Sequence, residues 1–353
     1  MGVLTAVLAA AVVAASTAGC SGGGDGWKAP DKGQAAVLVR TDDTGDKTSS
    51  TVGLGFGSSI DGLAFGSDGQ VYGLTSDLVR IDGDRTAHVV LDDQAKGAHG
   101  LVAQPGGAFL TGTGATVSSV RADGTVTVLA KAAGNDRTIG AAVPASAAVT
   151  AVHFIPGGAA PFGRRPDGSV LLADGDVVWS LKDGRLTRLY QAPASHDTGD
   201  PDLVLRGSAV NRSGTAWVAA GSLAHKATVG DLRTITSGGA VATPPLPAKV
   251  AGVPEDLAAL RLFWVADDGA DGVYAHVSGA SGDYVLHLRP GGAQLIAAHR
   301  GDANKSTGSA TCDLPHPVDA TKLPCWLPSA LAYHAGRLVL GGGTPYVLTI
   351  AVS

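Results

Sequence analysis

Carboxylates gathered in tight turns are the clearest chemical feature of this chain. Asp82-Gly83-Asp84 and the run Asp267-Asp268-Gly269-Ala270-Asp271-Gly272 place acidic groups where a hard cation such as calcium wants several oxygen ligands from one sharp turn. Neither run has a full EF-hand spacing. Asp also favours turns because its carboxylate bonds its own backbone, so both runs are expected to shape turns. Glu255 is the only glutamate in the chain and stands beside Asp256. The ten histidines are scattered without metal-ligand spacing, and no His-Glu-x-x-His, Gly-x-Ser-x-Gly, Cys-x-x-Cys or Walker motif occurs. Gly53-Leu54-Gly55-Phe56-Gly57 lacks the following helix that would present amides to a phosphate, and reads as strand and turn. Any site in such a chain is assembled from separate parts of the fold, so the elements that carry these side chains decide its chemistry.

Those elements are short strands. Six stretches repeat an apolar run, a tight glycine turn and a second apolar run: Leu63-Ala64-Phe65 to Val71-Tyr72 around Asp68-Gly69, Leu101-Val102 to Ala108-Phe109-Leu110 around Gly106-Gly107, then units around Asp167-Gly168, Ser213-Gly214, Asp271-Gly272 and Ala335-Gly336. Asp-Gly or Gly-Gly between β-type runs is a hairpin signal, because the tight turn needs positive φ and glycine supplies it without steric cost. Second hairpins follow at Asp77 to Ile81 with Thr86 to Leu91, Val117 to Arg121 with Thr125 to Leu129, Val177 to Leu181 with Arg185 to Tyr190, and Tyr284 to Leu288 with Gln294 to Ala298. The fourth unit matches least well, its Thr228 to Thr236 and Ala240 to Thr243 being recognisable only by position. Three longer intervals hold insertions at Lys131 to Ala160, Pro244 to Glu255 and Arg300 to Pro324.

The pattern predicts an all-β protein, a six-bladed β-propeller with four-stranded blades. The last unit ends at Tyr346 to Val352 with three strands, so an N-terminal strand, Ala35 to Arg40 together with Ser50 to Leu54, is expected to complete it and close the ring. Composition agrees: 44% hydrophobic residues can build a core, and 51 glycines with 16% charged residues suit many short strands. The 26 basic and 31 acidic residues give a net charge of −5 with no Lys/Arg cluster, which argues against nucleic acid as a partner.

Ile60-Asp61-Gly62-Leu63-Ala64-Phe65-Gly66-Ser67-Asp68-Gly69-Gln70-Val71-Tyr72 resembles the blades of NHL-repeat and SMP-30-like six-bladed propellers, in which a Gly-Leu-Ala strand leads to an Asp-Gly turn, and Pro328 to Tyr333 is a second copy. In such propellers ligands and metals sit at the channel mouth, on loops just ahead of the inner strands. The resemblance therefore selects Asp61, His99, Asp202, Glu255, Asp256 and Trp326 as ligand or metal positions. It implies a divalent metal, Ca, Mn or Zn, activating water in a lactonase. The family's metal set also includes an Asn ahead of an inner strand, and Asn135, Asn211 and Asn304 do not stand in such a place.

The N-terminus has its own pattern. Val3 to Ala15 is apolar and ends in Ser16-Thr17-Ala18-Gly19-Cys20, which resembles a bacterial lipoprotein signal with its lipobox and implies that Cys20 carries the lipid. An ordinary secretory signal cleaved near Ala18 is the alternative. The expected organisation is a signal over residues 1–19, a lipidated Cys and flexible tether over 20–33, and one propeller domain over 34–353. With Cys20 used as anchor, Cys312 and Cys325 remain to pair as a disulfide around a Pro-rich loop, in an oxidising compartment. A Cys-Cys metal pair is the rival, and no Cys-x-x-Cys or His-x-x-His accompanies it.

The expected function is a lipid-anchored extracytoplasmic binding or scaffold module at the cell membrane, holding a protein or glycan partner. An SMP-30-like metal-dependent hydrolase at the channel mouth, using Glu255 or Asp256 with His99 and Asp61, is the alternative, and a structural envelope component is a third. Loops clustered on one face would favour binding, and convergent carboxylates in the channel would favour catalysis.

Overall fold

The structure, a computed structural model, describes residues 28–40, 62–75, 77–82, 87–91, 97–193, 204–221, 226–301 and 312–353. They form six antiparallel sheets arranged as the blades of a ring. Blade 1 contains Gly62–Phe65, Val71–Leu74, Leu78–Ile81 and Ala87–Leu91, and blade 2 contains His99–Ala103, Ala108–Thr113, Thr116–Arg121 and Val126–Lys131. Blade 3 is Ala160–Arg164, Val170–Asp174, Val177–Lys182 and Arg185–Gln191; blade 4 is Val204–Val210, Ala216–Gly221, Leu232–Ile235 and Val241–Ala242. Blade 5 is Arg261–Asp267, Val273–Gly279, Gly282–Arg289 and Gly292–Arg300.

Blade 6 begins with Ala330–His334, Arg337–Gly341 and Tyr346–Ala351, and its outer strand is Gln34–Arg40 from the other end of the chain. The register pairs Ala35 with Ile350 and Val37 with Leu348, and the five central residues of Gln34–Arg40 are buried. The ring is thus closed as the sequence predicts. Ser50 to Leu54 lies outside the described residues.

Each blade is covered on both faces by its neighbours, so its inner strands are continuous apolar runs rather than alternating ones. Six apolar clusters result, each wedged between two adjacent blades. Blades crowd near the ring axis, where small residues are required. A Cβ on Gly62 would stand 2.5 Å from the Leu101 Cβ of blade 2, and one on Gly163 would stand 2.2 Å from Val210 of blade 4.

Two features go beyond the sequence expectation. Blades 3 and 6 carry a fifth strand, Ser146–Ala148 paired to Arg185–Thr187 and Val318–Asp319 paired to Gln34–Ala35, and both come from insertions without visible periodicity. Strands of two or three residues are too short to show a period. Blade 4 is confirmed, but its outer strand is only Val241–Ala242, which explains its weak sequence pattern. A short 3-10 turn, Val229–Asp231, leads into its third strand, with the Thr228 N–H and hydroxyl both donating to Asp231. Among the described residues no helix is long and apolar enough to cross a membrane.

Candidate functional site

The six inner strands surround a central channel of about 850 Å³, a volume suited to a small ligand. Most of the lining is Gly, Ala, Val and Leu, but Phe162, Phe263, Trp264 and Tyr333 add ring faces, and His99, Arg164, Asp267 and His334 add ionisable groups. Ser208 also lines the channel, and its Oγ is buried without a hydrogen-bond partner among the described residues. All inner strands run the same way along the axis, so the two ends of the channel differ. His99 and Phe263 mark the end where each blade receives the chain from the one before; Asp267, Arg164 and His334 mark the opposite end, beside the first hairpin turns.

Of the positions selected from the sequence, His99 lines the channel and is half-buried. Asp61 and Asp202 lie outside the described residues. Glu255 is turned away to the rim of blade 5, where its Oε1 accepts the Ser281 N–H at 2.6 Å and its Oε2 accepts the Tyr284 hydroxyl at 3.4 Å. Burial pushes the Glu255 carboxyl up, but its hydrogen bonds together, that of the Ser281 amide foremost, leave the group below its ordinary value. Asp256 forms an exposed ion pair with Lys249 at 3.5 Å. Trp326 packs beside the His299 ring, with 5.1 Å between centroids, and its carbonyl accepts the Tyr346 hydroxyl at 2.9 Å.

The structure therefore does not bring Glu255, Asp256 and Trp326 to the channel with His99. A divalent cation needs several converging ligands, and among the described residues no three His, Cys, Asp or Glu side chains are grouped to hold one. The described set does not fit the metal centre that the resemblance implies.

The acidic turn of blade 5 is occupied with its own backbone. Asp268 Oδ1 accepts the Ala270 and Gly272 N–H groups at 2.7 and 3.1 Å, and its Oδ2 meets His287 Nε2 at 2.7 Å. Burial raises the Asp268 carboxyl, but His287 and the two amides hold it below its ordinary value. The His287 ring stacks on Tyr274 at 4.6 Å, and Tyr274 in turn lies against Tyr333 at 5.0 Å. Asp267 is different: its Oδ1 accepts only the Gly269 N–H at 3.1 Å among the described residues, and burial, reinforced by the adjacent Asp268, raises its carboxyl to about 6.

A second group of titratable residues sits at the other end of the interface between blades 5 and 6. His276 is stacked on Phe263 at 5.0 Å, with Nδ1 at 3.2 Å from the Ser329 carbonyl and Nε2 without a partner among the described residues. Burial lowers its pKa to about 4, so the ring is neutral at ordinary pH. Arg261 lies over Phe263 at 4.3 Å, and Asp283 is raised to about 6 by burial, against the pull of His299 and Arg261. Cross-strand register places these groups together. No spacing within a single strand reveals them.

Each insertion connects an outer strand to the next inner strand and ends at the rim that carries the central hairpin turn of the blade it leads into, but it also runs along the blade edge to the opposite end: Val149 N–H donates to Gly184 O at 2.9 Å, Gly291 N–H to Pro245 O at 2.8 Å and Ala320 N–H to Gly33 O at 2.9 Å. Arg137, in the insertion before blade 3, reaches the central turn of that blade and meets Asp176 at 2.8 Å and Asp174 at 3.2 Å. Glu255 does the same at the central turn of blade 5. Cys312 in the third insertion is bridged to Cys325 just past its end, Arg40 donates to the Cys312 carbonyl at 2.8 Å, and Ser329, immediately before the inner strand, donates its N–H to Gly342 O at 2.9 Å in the central turn of blade 6.

No family model and no characterised protein matches the sequence. The fold is similar to a gluconolactonase from Xanthomonas campestris, with TM-score 0.50, 14% identity, and coverage of 83% of this chain and 86% of that one. It is also similar to virginiamycin B lyase from Staphylococcus aureus (TM-score 0.42, 11% identity, covering 82% and 80%) and to a calcium-binding regucalcin from Agrobacterium tumefaciens (TM-score 0.46, 10% identity, covering 83% and 92%). At these identities the likeness is one of fold.

Proposed function

We propose that this protein is a lipid-anchored extracytoplasmic binding module, whose insertions hold a protein or glycan partner. The observation that carries this is that three insertions run along the outer edges of blades 3, 5 and 6 and are braced against the central turns of those blades. Long connections inside a compact fold are otherwise uncommon, and binding residues concentrate on loops that a rigid scaffold positions. Buried anchors such as Arg137 and the Cys312–Cys325 bridge present the insertions largely pre-formed, which lowers the ordering cost of binding. Lipidation at Cys20 would hold the propeller at the outer membrane surface, and a disulfide suits the oxidising side.

The test is site-specific photo-crosslinking on cells. A photoreactive side chain on an insertion, at Lys249 or Lys322, should capture a discrete partner or envelope glycan. The same group at Arg121, beside a hairpin turn away from the insertions, should not. Equal capture from both, or none from the insertions, would discard the proposal. Cys20→Ala should release the protein from membranes, and retention of the unlipidated variant would discard the anchor.

The lactonase alternative draws support from the likeness to a gluconolactonase and from His99 in the channel. The binding proposal is preferred because Glu255 and Asp256 are engaged elsewhere.

A further inference from the structure

Asp267 is the only carboxylate that lines the channel among the described residues. It ends the inner strand of blade 5, at the channel end away from the central hairpin turns. Its single hydrogen bond comes from the Gly269 N–H, and among the described residues no cation pairs with it. Asp268 next to it is fully committed to His287 and two turn amides, so it adds negative charge and gives no relief. A half-buried carboxylate without a counter-ion is a cost to the fold, and groups kept in that condition inside a cavity are candidates for binding.

The surroundings define what would offset the charge. Trp264 lines the channel from the same strand, and Tyr333 lines it from blade 6. Gly269, which holds Asp267, lies so close to Tyr333 that a Cβ there would stand 3.4 Å from the ring, so carboxylate and ring border the same corner. The cationic groups of the lining are directed elsewhere. Arg164 turns to the Gly168 carbonyl at 3.4 Å, His334 lies against the Phe65 ring at 5.5 Å, and His99 is at the far end. A carboxylate beside aromatic faces is the arrangement that recognises an alkylammonium ion, through charge on one side and ring quadrupoles on the other.

The geometry points to a binding site for an organic ammonium ion in the central channel, with Asp267 as counter-ion, Tyr333 as the ring face beside it and Trp264 further along the channel wall. The site is independent of whatever the insertions hold. Methylated and primary ammonium groups share this chemistry, and the experiment separates them.

Calorimetric titration of the whole chain with choline, with n-butylammonium, and with the uncharged tert-butyl isostere of choline tests the site. Near neutral pH at least one ammonium should bind at least about tenfold tighter than the isostere. Asp267→Asn should abolish that preference while melting no lower than the parent, since the amide oxygen still accepts the Gly269 N–H and the unpaired charge is gone. In the parent, affinity should fall about tenfold between neutral pH and pH 5 as Asp267 takes up a proton. Protonation of His99 and His334 would add a decline that persists in D267N, so the difference between the two profiles belongs to Asp267. If D267N fails to fold, the parent's pH profile together with the ammonium-to-isostere ratio decides. Binding of neither ammonium, equal binding of the isostere, or a preference that survives in D267N would overturn the assignment.

Discussion

Replacing Arg137 with Ala should be among the most destabilising single changes available to this protein. The guanidinium is nearly buried between two carboxylates whose side chains are fully buried, with contacts of 2.8 Å to Asp176 and 3.2 Å to Asp174, and a further bond of 2.6 Å to the Asp174 carbonyl. Other donors satisfy part of each carboxylate: Ile155 N–H and Trp179 Nε1 on Asp174, Gly140 N–H and Gln191 Nε2 on Asp176. Among the described residues Arg137 supplies the only positive charge bonded to them, and burial already pushes the Asp174 carboxyl above its ordinary value against that charge. Removing one partner of a buried ion pair costs about 3–5 kcal/mol, because the remaining charge is left uncompensated. Urea denaturation near neutral pH should show that loss in R137A. The loss should shrink on acidification, since a carboxyl with a raised folded pKa is relieved by protonation. R137A/D176N should recover about 2 kcal/mol, because Asn keeps the oxygen that Gln191 and Gly140 bond and removes one charge. A loss below about 1 kcal/mol, or a loss that does not change with pH, would refute the account.

Four further outcomes follow from the same physics. C312A/C325A should lose about 3 kcal/mol in denaturant melts, the chain-entropy value for a separation of 13 residues, and an unchanged midpoint would show that the loop is held by packing alone. D283N should stabilise the protein at pH 8 by about 2 kcal/mol, because a buried carboxyl raised from 3.8 to about 6 is disfavoured when ionised; the gain should vanish below about pH 4, and a destabilised variant at pH 8 would contradict the burial argument. Ala335 holds φ of 46° in the hairpin turn of blade 6, so Ala335→Asn should raise stability by about 1 kcal/mol, and a lower melting temperature would count against strain there. Deleting residues 34–40 removes the buried outer strand of blade 6 and should abolish the cooperative unfolding transition; a normal melt would mean that the ring does not depend on this closure.

The hairpin turns, the six-fold repeat and the closing strand were legible in the sequence because each is a local pattern. Asp68-Gly69 and Asp167-Gly168 announce their turns by composition, and Val37 announces its strand through apolar neighbours on both sides. The pairing of Cys312 with Cys325 was legible by counting thiols. The braces under the insertions were not. Arg137 and Asp174 lie 37 residues apart, and nothing in the Ala/Gly-rich stretch around Arg137 marks it as buried. Glu255 stood out as the sole glutamate, yet its orientation was decided by the amide of Ser281, a hairpin turn away on another part of the blade.

The sequence alone determined that the chain is a closed ring of short antiparallel strands, because turn geometry and β-type runs act over a few residues and repeat. Only the tertiary structure decided which charges share an environment. Asp267 and Asp268 are chain neighbours with the same side chain, but one is saturated by His287 and two amides and the other faces the channel with a single bond. Burial and Coulomb interactions depend on distance through space, and in a propeller each blade obtains half of its surroundings from residues far away in the chain.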